Sequence, residues 1–394
     1  MSTNSTDLRR ARGATGFLFF AAGVTLATWA PYIPVVKARL DIGASVLGLA
    51  LLALAVGGML AMSMTGWLVQ RHGSGTVARG CALAVAVLLP LPILASSLSW
   101  LVAGLLVFGA SHGAMDVAMN AQGVTVQRAY RRPVMSSLHA LFSIGGLAGA
   151  GFAALMLWRD VPIAIHVALV SLAMIAGLLL TRGWMLDDRG HARADGLQLA
   201  RPTGLLLLLG CIAVLSMVGE GAVLDWSAVY MHESIGASPA VAAGGFAAFS
   251  LTMAAGRLGG DALVARFGEV SVLRVGTLIA ALGLGAALLV GHPLAALVGF
   301  ACVGLGLANV VPVVFAAAGR VPGVAPAHAL AAVSTVGYFG FLVGPPAIGF
   351  TAEATSLPVA LGSIVLFALT IAVLAHHVGR VNAHEVGDLE AEAR

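Results

Sequence analysis

Twelve apolar runs of about 20 residues, parted by short charged loops, leave this chain few ways to fold. A helix of that length crosses a hydrocarbon core of about 30 Å, and in lipid only helices and closed barrels satisfy their own backbone groups. The runs are expected at about 13–36, 46–69, 76–95, 99–123, 135–157 and 161–181. Six more follow at about 203–230, 240–264, 270–290, 294–318, 328–351 and 357–377. Mean hydropathy is +0.98 and only 10% of residues are charged, which excludes a soluble globular domain. The reading is an all-α membrane protein with twelve transmembrane helices.

Charge sets the orientation. Of the 21 Lys and Arg residues, only Lys37, Arg39 and Arg159 fall on one set of loop faces. The rest, from Arg9, Arg10 and Arg12 through Arg71, Arg128, Arg257, Arg266, Arg320 and Arg394, fall on the other. Positive loops resist translocation, so the Arg-rich face and both termini are expected to be cytoplasmic. The first run lacks a small-residue cleavage site and reads as a retained helix rather than a signal peptide. Topology accounts for the basic residues, so the pI near 9.3 is no sign of nucleic-acid binding. Cys81, Cys211 and Cys302 all lie in apolar runs, where neither a disulfide framework nor a metal cluster is expected. His166 lies near an outer helix end and is expected to be solvated.

The chain repeats itself. A shift of 195 residues lays Arg71-His72-Gly73 on Arg266-Phe267-Gly268, and Arg79 on Arg274. The same shift superposes Gly104, Gly109, Gly145 and Gly149 on Gly299, Gly304, Gly340 and Gly344. Both halves begin on the same face, so the repeats are parallel and related by an axis along the membrane normal. The expected division is a six-helix bundle over 1–182, a polar cytoplasmic linker over 183–202, a second bundle over 203–378 and a cytoplasmic tail over 379–394. A solute site then falls between the bundles, near the bilayer midplane.

These features resemble the major facilitator superfamily. The loop signature of that superfamily is matched by Gly256-Arg257-Leu258-Gly259-Gly260-Asp261 followed by Arg266-Phe267-Gly268. Its N-terminal copy, Gly66 to Gly73, carries Gln70 where the family has an aspartate. The resemblance implies a conformational latch built from Arg71, Arg257, Asp261 and Arg266. The i, i+4 spacing of Arg257 and Asp261 suits an ion pair on one helix.

Ionisable groups within membrane helices are costly and point to function. His112, Asp116 and Asn120 fall at i, i+4 and i+8 in the fourth run, on one helix face. A carboxyl in a low-dielectric cavity resists ionisation and can carry a proton as the cavity changes sides. Asp116 is the expected proton carrier, with Glu220, flanked by Gly219 and Gly221 in the seventh run, as the second coupling group. Asp225 lies in the same run and, with His112 and Asn120, is a candidate for solute binding. Trp29, Tyr32 and Trp226 either form an aromatic wall for a sugar ring or, for Trp226 and Tyr230, anchor the helix at the interface. Weaker candidates for solute binding are His139 and Ser143 in the fifth run, at depths that could meet Asn120, with Asn309 in the tenth and Tyr338 in the eleventh.

The run Gly113 to Asn120, with Ser137 to Gly145, is similar to the fucose–proton symporter branch of the superfamily. In that branch a glutamate and an asparagine occupy the places of Asp116 and Asn120, and polar groups those of His139 and Ser143. Phe142 and Ala30 stand where that branch has a sugar-contacting asparagine and an aspartate, so the resemblance extends to the proton site and not to the sugar contacts. The run Gly219 to Tyr230 is similar to uncharacterised bacterial inner-membrane relatives of the branch. The resemblance implies proton-coupled symport of a sugar-like solute across the bacterial inner membrane, by a monomer. Proton-driven efflux of an amphipathic molecule is the alternative. No phosphate loop, nucleophile elbow or metal-spaced His and Cys set is present, so neither an enzyme, nor a cofactor, nor direct ATP coupling is expected.

Overall fold

The computed structural model describes residues 5–131, 134–188, 204–321, 324 and 326–392. Among them it has helices and no strand. Among the described residues, twelve helices are long and apolar enough to cross a membrane. They are α1 (Thr6–Leu40), α2 (Ala44–His72), α3 (Ser74–Ile93), α4 (Leu98–Tyr130), α5 (Ser137–Trp158) and α6 (Ile163–Leu180). The second set is α7 (Gly204–Ser234), α8 (Pro239–Phe267), α9 (Glu269–Val290), α10 (Pro293–Ala318), α11 (Ala332–Ala354) and α12 (Leu357–Gly379). Backbone helix continues from α12 to Glu392, where a tail was expected. The linker residues Arg189, Arg193, Asp195 and Arg201 lie outside the described residues, as do Arg132 and Arg394.

Proline explains the breaks. In α10 the α-helix stops at Leu307 and resumes at Val310. Pro312 lies four residues after Ala308, and its ring would clash with that carbonyl. In α1 a tighter turn over Ala30–Tyr32 follows from Pro31 and Pro34 in the same way. Apolar side chains cover the outer surface, with Leu289 90%, Leu180 75% and Leu282 70% exposed. Lipid is the natural solvent for such a surface, since soluble proteins do not display continuous apolar patches of this kind.

Packing follows the internal repeat. Helix α1 packs on α5 and α2 on α4; α7 packs on α11 and α8 on α10 in the same way. A Cβ on Gly109 would run into the Leu54 carbonyl, and one on Gly304 into that of Phe249. Gly145 and Gly340 stand in the same relation to Phe20 and Val214. The repeated glycines are therefore points where two helix backbones touch, as is common where lipid-soluble helices associate. Gly73 and Gly268 end α2 and α8 with φ of 84° and 78°, a region that side-chain-bearing residues avoid.

Spans α1–α6 (the N-half) and α7–α12 (the C-half) close on each other at the Arg-poor end. There Lys37 Nζ lies 2.8 Å from Glu233 Oε2, and the Ser45 amide donates to Glu353 Oε2 at 3.0 Å. The backbones of Gly48 and Pro345 nearly touch, and so do those of Gly349 and Ala44. At the Arg-rich end a cleft of about 890 Å³ opens instead, walled by Arg9, Arg12, Tyr130, Ser137 and Leu258.

Candidate functional site

Between the halves lies a cavity of about 240 Å³. Helices α1, α2, α4 and α5 wall one side, and α7 and α11 the other. Its walls are mostly carbon, from residues such as Leu51, Met119, Phe142, Leu224 and Phe341; the ionisable groups that line it are His112, Asp116, Asp225 and Tyr338. All four were candidates from the sequence.

Asp116 is the best-connected group. The Asn120 side-chain amide, one turn along α4, donates to the Asp116 carbonyl at 2.8 Å and to its Oδ1 at 3.2 Å. From the other half, the Tyr338 hydroxyl donates to Asp116 Oδ2 at 3.2 Å. Helical spacing thus fixes one partner, and only the approach of α11 supplies the other. His112 Nε2 shares a 3.3 Å hydrogen bond with Thr25 of α1, and its ring meets Phe108 edge-on. Asp225 lines the cavity and has no hydrogen-bond or ion-pair partner among the described residues.

A second joint lies beside the cavity. Arg257 of α8 reaches Glu220 Oε2 of α7 at 3.4 Å and donates to Ser143 Oγ of α5 at 3.4 Å. Ser216 donates to Glu220 Oε1 at 3.3 Å. This corrects the expected latch. Arg257 makes no ion pair with Asp261 among the described residues, because its side chain turns inward to the partly buried Glu220 carboxylate while Asp261 is exposed. Arg71 and Arg266 are exposed as well and lie over the rings of Trp67 and Phe267, at 5.5 and 5.2 Å. They tie nothing across the halves in this state.

Other expectations need correction. Trp29, Tyr32 and Trp226 do not wall the cavity, nor does Trp226 sit at the lipid interface, since all three are fully buried. The reason is the closed Arg-poor end, where the Ala30–Tyr32 turn packs on α7 and α8. Trp29 Nε1, Trp226 Nε1, Ser227 Oγ and Tyr230 OH are left there without partners among the described residues. Tyr32 bonds His166 Nδ1 at 2.7 Å, so His166 is buried rather than solvated. Asn309 sits at the break in α10 and donates to the Gly256 carbonyl at 3.2 Å, which makes it a tie between α10 and α8 away from the cavity. His139 meets the Phe19 ring edge-on, and neither it nor Ser143 bonds Asn120.

One constellation was missed. Asp188, at the start of the linker, accepts the Ser74 amide at 2.8 Å and the Thr125 hydroxyl at 3.0 Å. A carboxylate is favoured there, at the N-terminus of α3. A shift of 195 turns Ser74 and Thr125 into Glu269 and Arg320, which form an ion pair in which Arg320 Nη2 lies 2.7 Å from both Glu269 carboxylate oxygens. In the N-half the linker therefore supplies the carboxylate that α9 carries itself in the C-half. Extending the repeat by one residue past Gly73 and Gly268 would have paired Ser74 with Glu269.

No family model matches this chain. It is 41% identical over 369 residues to an uncharacterized MFS-type transporter of Yersinia pestis, covering 93% of this chain and 95% of the relative. The chain belongs to the MFS-type transporters. Its shape matches the nucleoside transporter NupG with TM-score 0.71 at 12% identity, over 94% of this chain and 99% of NupG. The xylose transporter XylE of E. coli matches with TM-score 0.69 at 13% identity, over 94% and 97%. The relative and these structural neighbours are transporters, not enzymes.

Proposed function

We propose that this MFS-type transporter is proton-coupled and carries a small solute across the bacterial inner membrane, as a monomer, by alternating access. The observation that carries the reading is the Asp116–Tyr338 bond, which joins the two halves through an ionisable group inside the cavity. As a carboxylate, Asp116 accepts from both Tyr338 and Asn120. Protonation removes the charge that those donors satisfy and weakens the tie between halves, so proton binding and rocking are linked through one side chain. Glu220, held by Arg257 and Ser216, is the second coupling group.

The Arg-rich end faces the cytoplasm in this reading, so the state described here is closed outward. Opening the outer end would release Trp29, Trp226 and Tyr230, whose polar atoms are unpartnered now, to wall the cavity on that side. A sugar-like solute is supported by likeness in shape to a xylose and a nucleoside transporter. The lining favours the other solute class. A sugar needs several donors and acceptors around its ring, whereas this cavity offers four ionisable groups among apolar walls. An amphipathic solute, exchanged for protons, fits it better.

Proteoliposomes holding a pH-sensitive dye test this. With protein oriented as in the cell, an outward proton leak on adding amphipathic solutes signals exchange, and lumen acidification on adding sugars signals symport. Asp116→Asn is expected to abolish either response. Full coupling in Asp116→Asn, or no proton movement with any solute in the wild type, would overturn the reading.

A further inference from the structure

Asp225 is the one lining carboxylate that nothing answers. It is 9% exposed, borders the cavity and receives no donor from the described residues. The neighbouring acids differ: Asp116 has Asn120 and Tyr338, and Glu220 has Arg257 and Ser216. Arg257 is committed to Glu220 and Ser143, and no Lys or Arg borders the cavity. A charged group in so dry a place is costly unless a counter-charge reaches it. The cavity therefore has room for a cation and one carboxylate free to meet it.

The surroundings restrict what that cation is. A hard metal ion gathers several oxygen ligands, and among the described residues no group of three or more His, Cys, Asp or Glu is placed to hold a metal. Leu224, Phe142 and Phe341 line the same cavity as Asp225. Aromatic faces attract an organic cation as well as its hydrocarbon. A volume of about 240 Å³ falls below the roughly 300–1,000 Å³ of drug-sized sites.

We propose that Asp225 is the cation-binding group of this cavity and that the solute is a small organic amine with an apolar body. The ammonium sits against Asp225 while the body fills the space between Leu51, Phe142 and Phe341. This rests on the transport reading but adds the solute class. Asp116, already satisfied from both halves, is left to carry the proton.

The test uses 2-phenylethylamine and its neutral counterpart 2-phenylethanol on the full chain in nanodiscs, by calorimetric titration. Wild type is expected to bind the amine at least tenfold more tightly than the alcohol. Asp225→Asn is expected to lose that preference and Asp225→Glu to recover part of it. Asp116→Asn should keep the preference while losing proton flux. Because Asp225→Asn could misfold, carbodiimide labelling of wild-type Asp225, read by peptide mass spectrometry, supplies a second measurement: the amine should protect and the alcohol should not. Equal binding of the two probes, or protection by both, overturns the inference. Proton flux driven only by neutral solutes, without amine binding, overturns it and leaves the transport reading standing. Amine binding through Asp225 with no proton flux in the wild type supports it and sinks the transport reading instead.

Discussion

The Lys37–Glu233 pair should set how much of the protein is closed at the Arg-poor end. Lys37 Nζ lies 3.0 and 2.8 Å from the two carboxylate oxygens of Glu233, and the side chains are 17% and 36% exposed. It bridges the halves, so it exists only while that end is shut. Exposure limits its value: pairs this open contribute at most about 1 kcal/mol. The ratio of closed to open molecules should therefore fall about fivefold when the pair is broken, since about 1.4 kcal/mol is a factor of ten. Lys37→Met, Glu233→Gln and the double substitution form a cycle. Nitroxides at Asp160 and Leu294, placed after replacing Cys81, Cys211 and Cys302, would report the separation of the halves by double electron–electron resonance. Each single substitution should populate the wider distance, the double should do no more than either, and raised salt should mimic them in the wild type. Single substitutions that leave the distance distribution unchanged, or that add fully in the double, would refute the claim that this pair ties the gate.

Two further outcomes follow from the packing. Asp188→Asn weakens charge-assisted bonds to Ser74 and Thr125, so amide exchange at the first turn of α3 should quicken by roughly tenfold, the equivalent of about 1.4 kcal/mol. The first turn of α9, tied by Glu269 and Arg320, should be unaffected; equal acceleration at both would contradict the local reading. Gly109→Ala forces a Cβ against the Leu54 carbonyl and should destabilise by about 1–3 kcal/mol. Gly66→Ala meets nothing within 4 Å, so a drop in thermal stability there as large as at Gly109 would show that backbone contact is not the cause.

Much of this was legible in one dimension. Span number follows from runs of apolar residues, because each helix must satisfy its own backbone in lipid, whereas end points do not: α1 begins and α4 ends seven residues outside the expected bounds. The glycine repeat marked where helices touch, and the i, i+4 spacing of Asp116 and Asn120 put both on one face and made them partners. Asp116, His112, Asp225 and Tyr338 were legible as candidates because a polar group in an apolar span is conspicuous.

Partner choice was not legible. Arg257 has one carboxylate four residues away in sequence and another in a different helix, and spacing favoured Asp261. The fold chose Glu220, because α8 presents Arg257 to the interior, where an unpaired Glu220 would be the costlier neighbour. Trp226 and Tyr32 read equally well as cavity wall from their composition, and whether they line space depends on which end of the protein is shut. The sequence by itself determined a twelve-span membrane protein, its repeat and the set of ionisable groups within its spans, since hydropathy and helical period are local properties. Only the tertiary structure decided which groups meet, because contacts across the two halves depend on how separate helices approach, and that approach is set by close packing at glycines and by the conformational state.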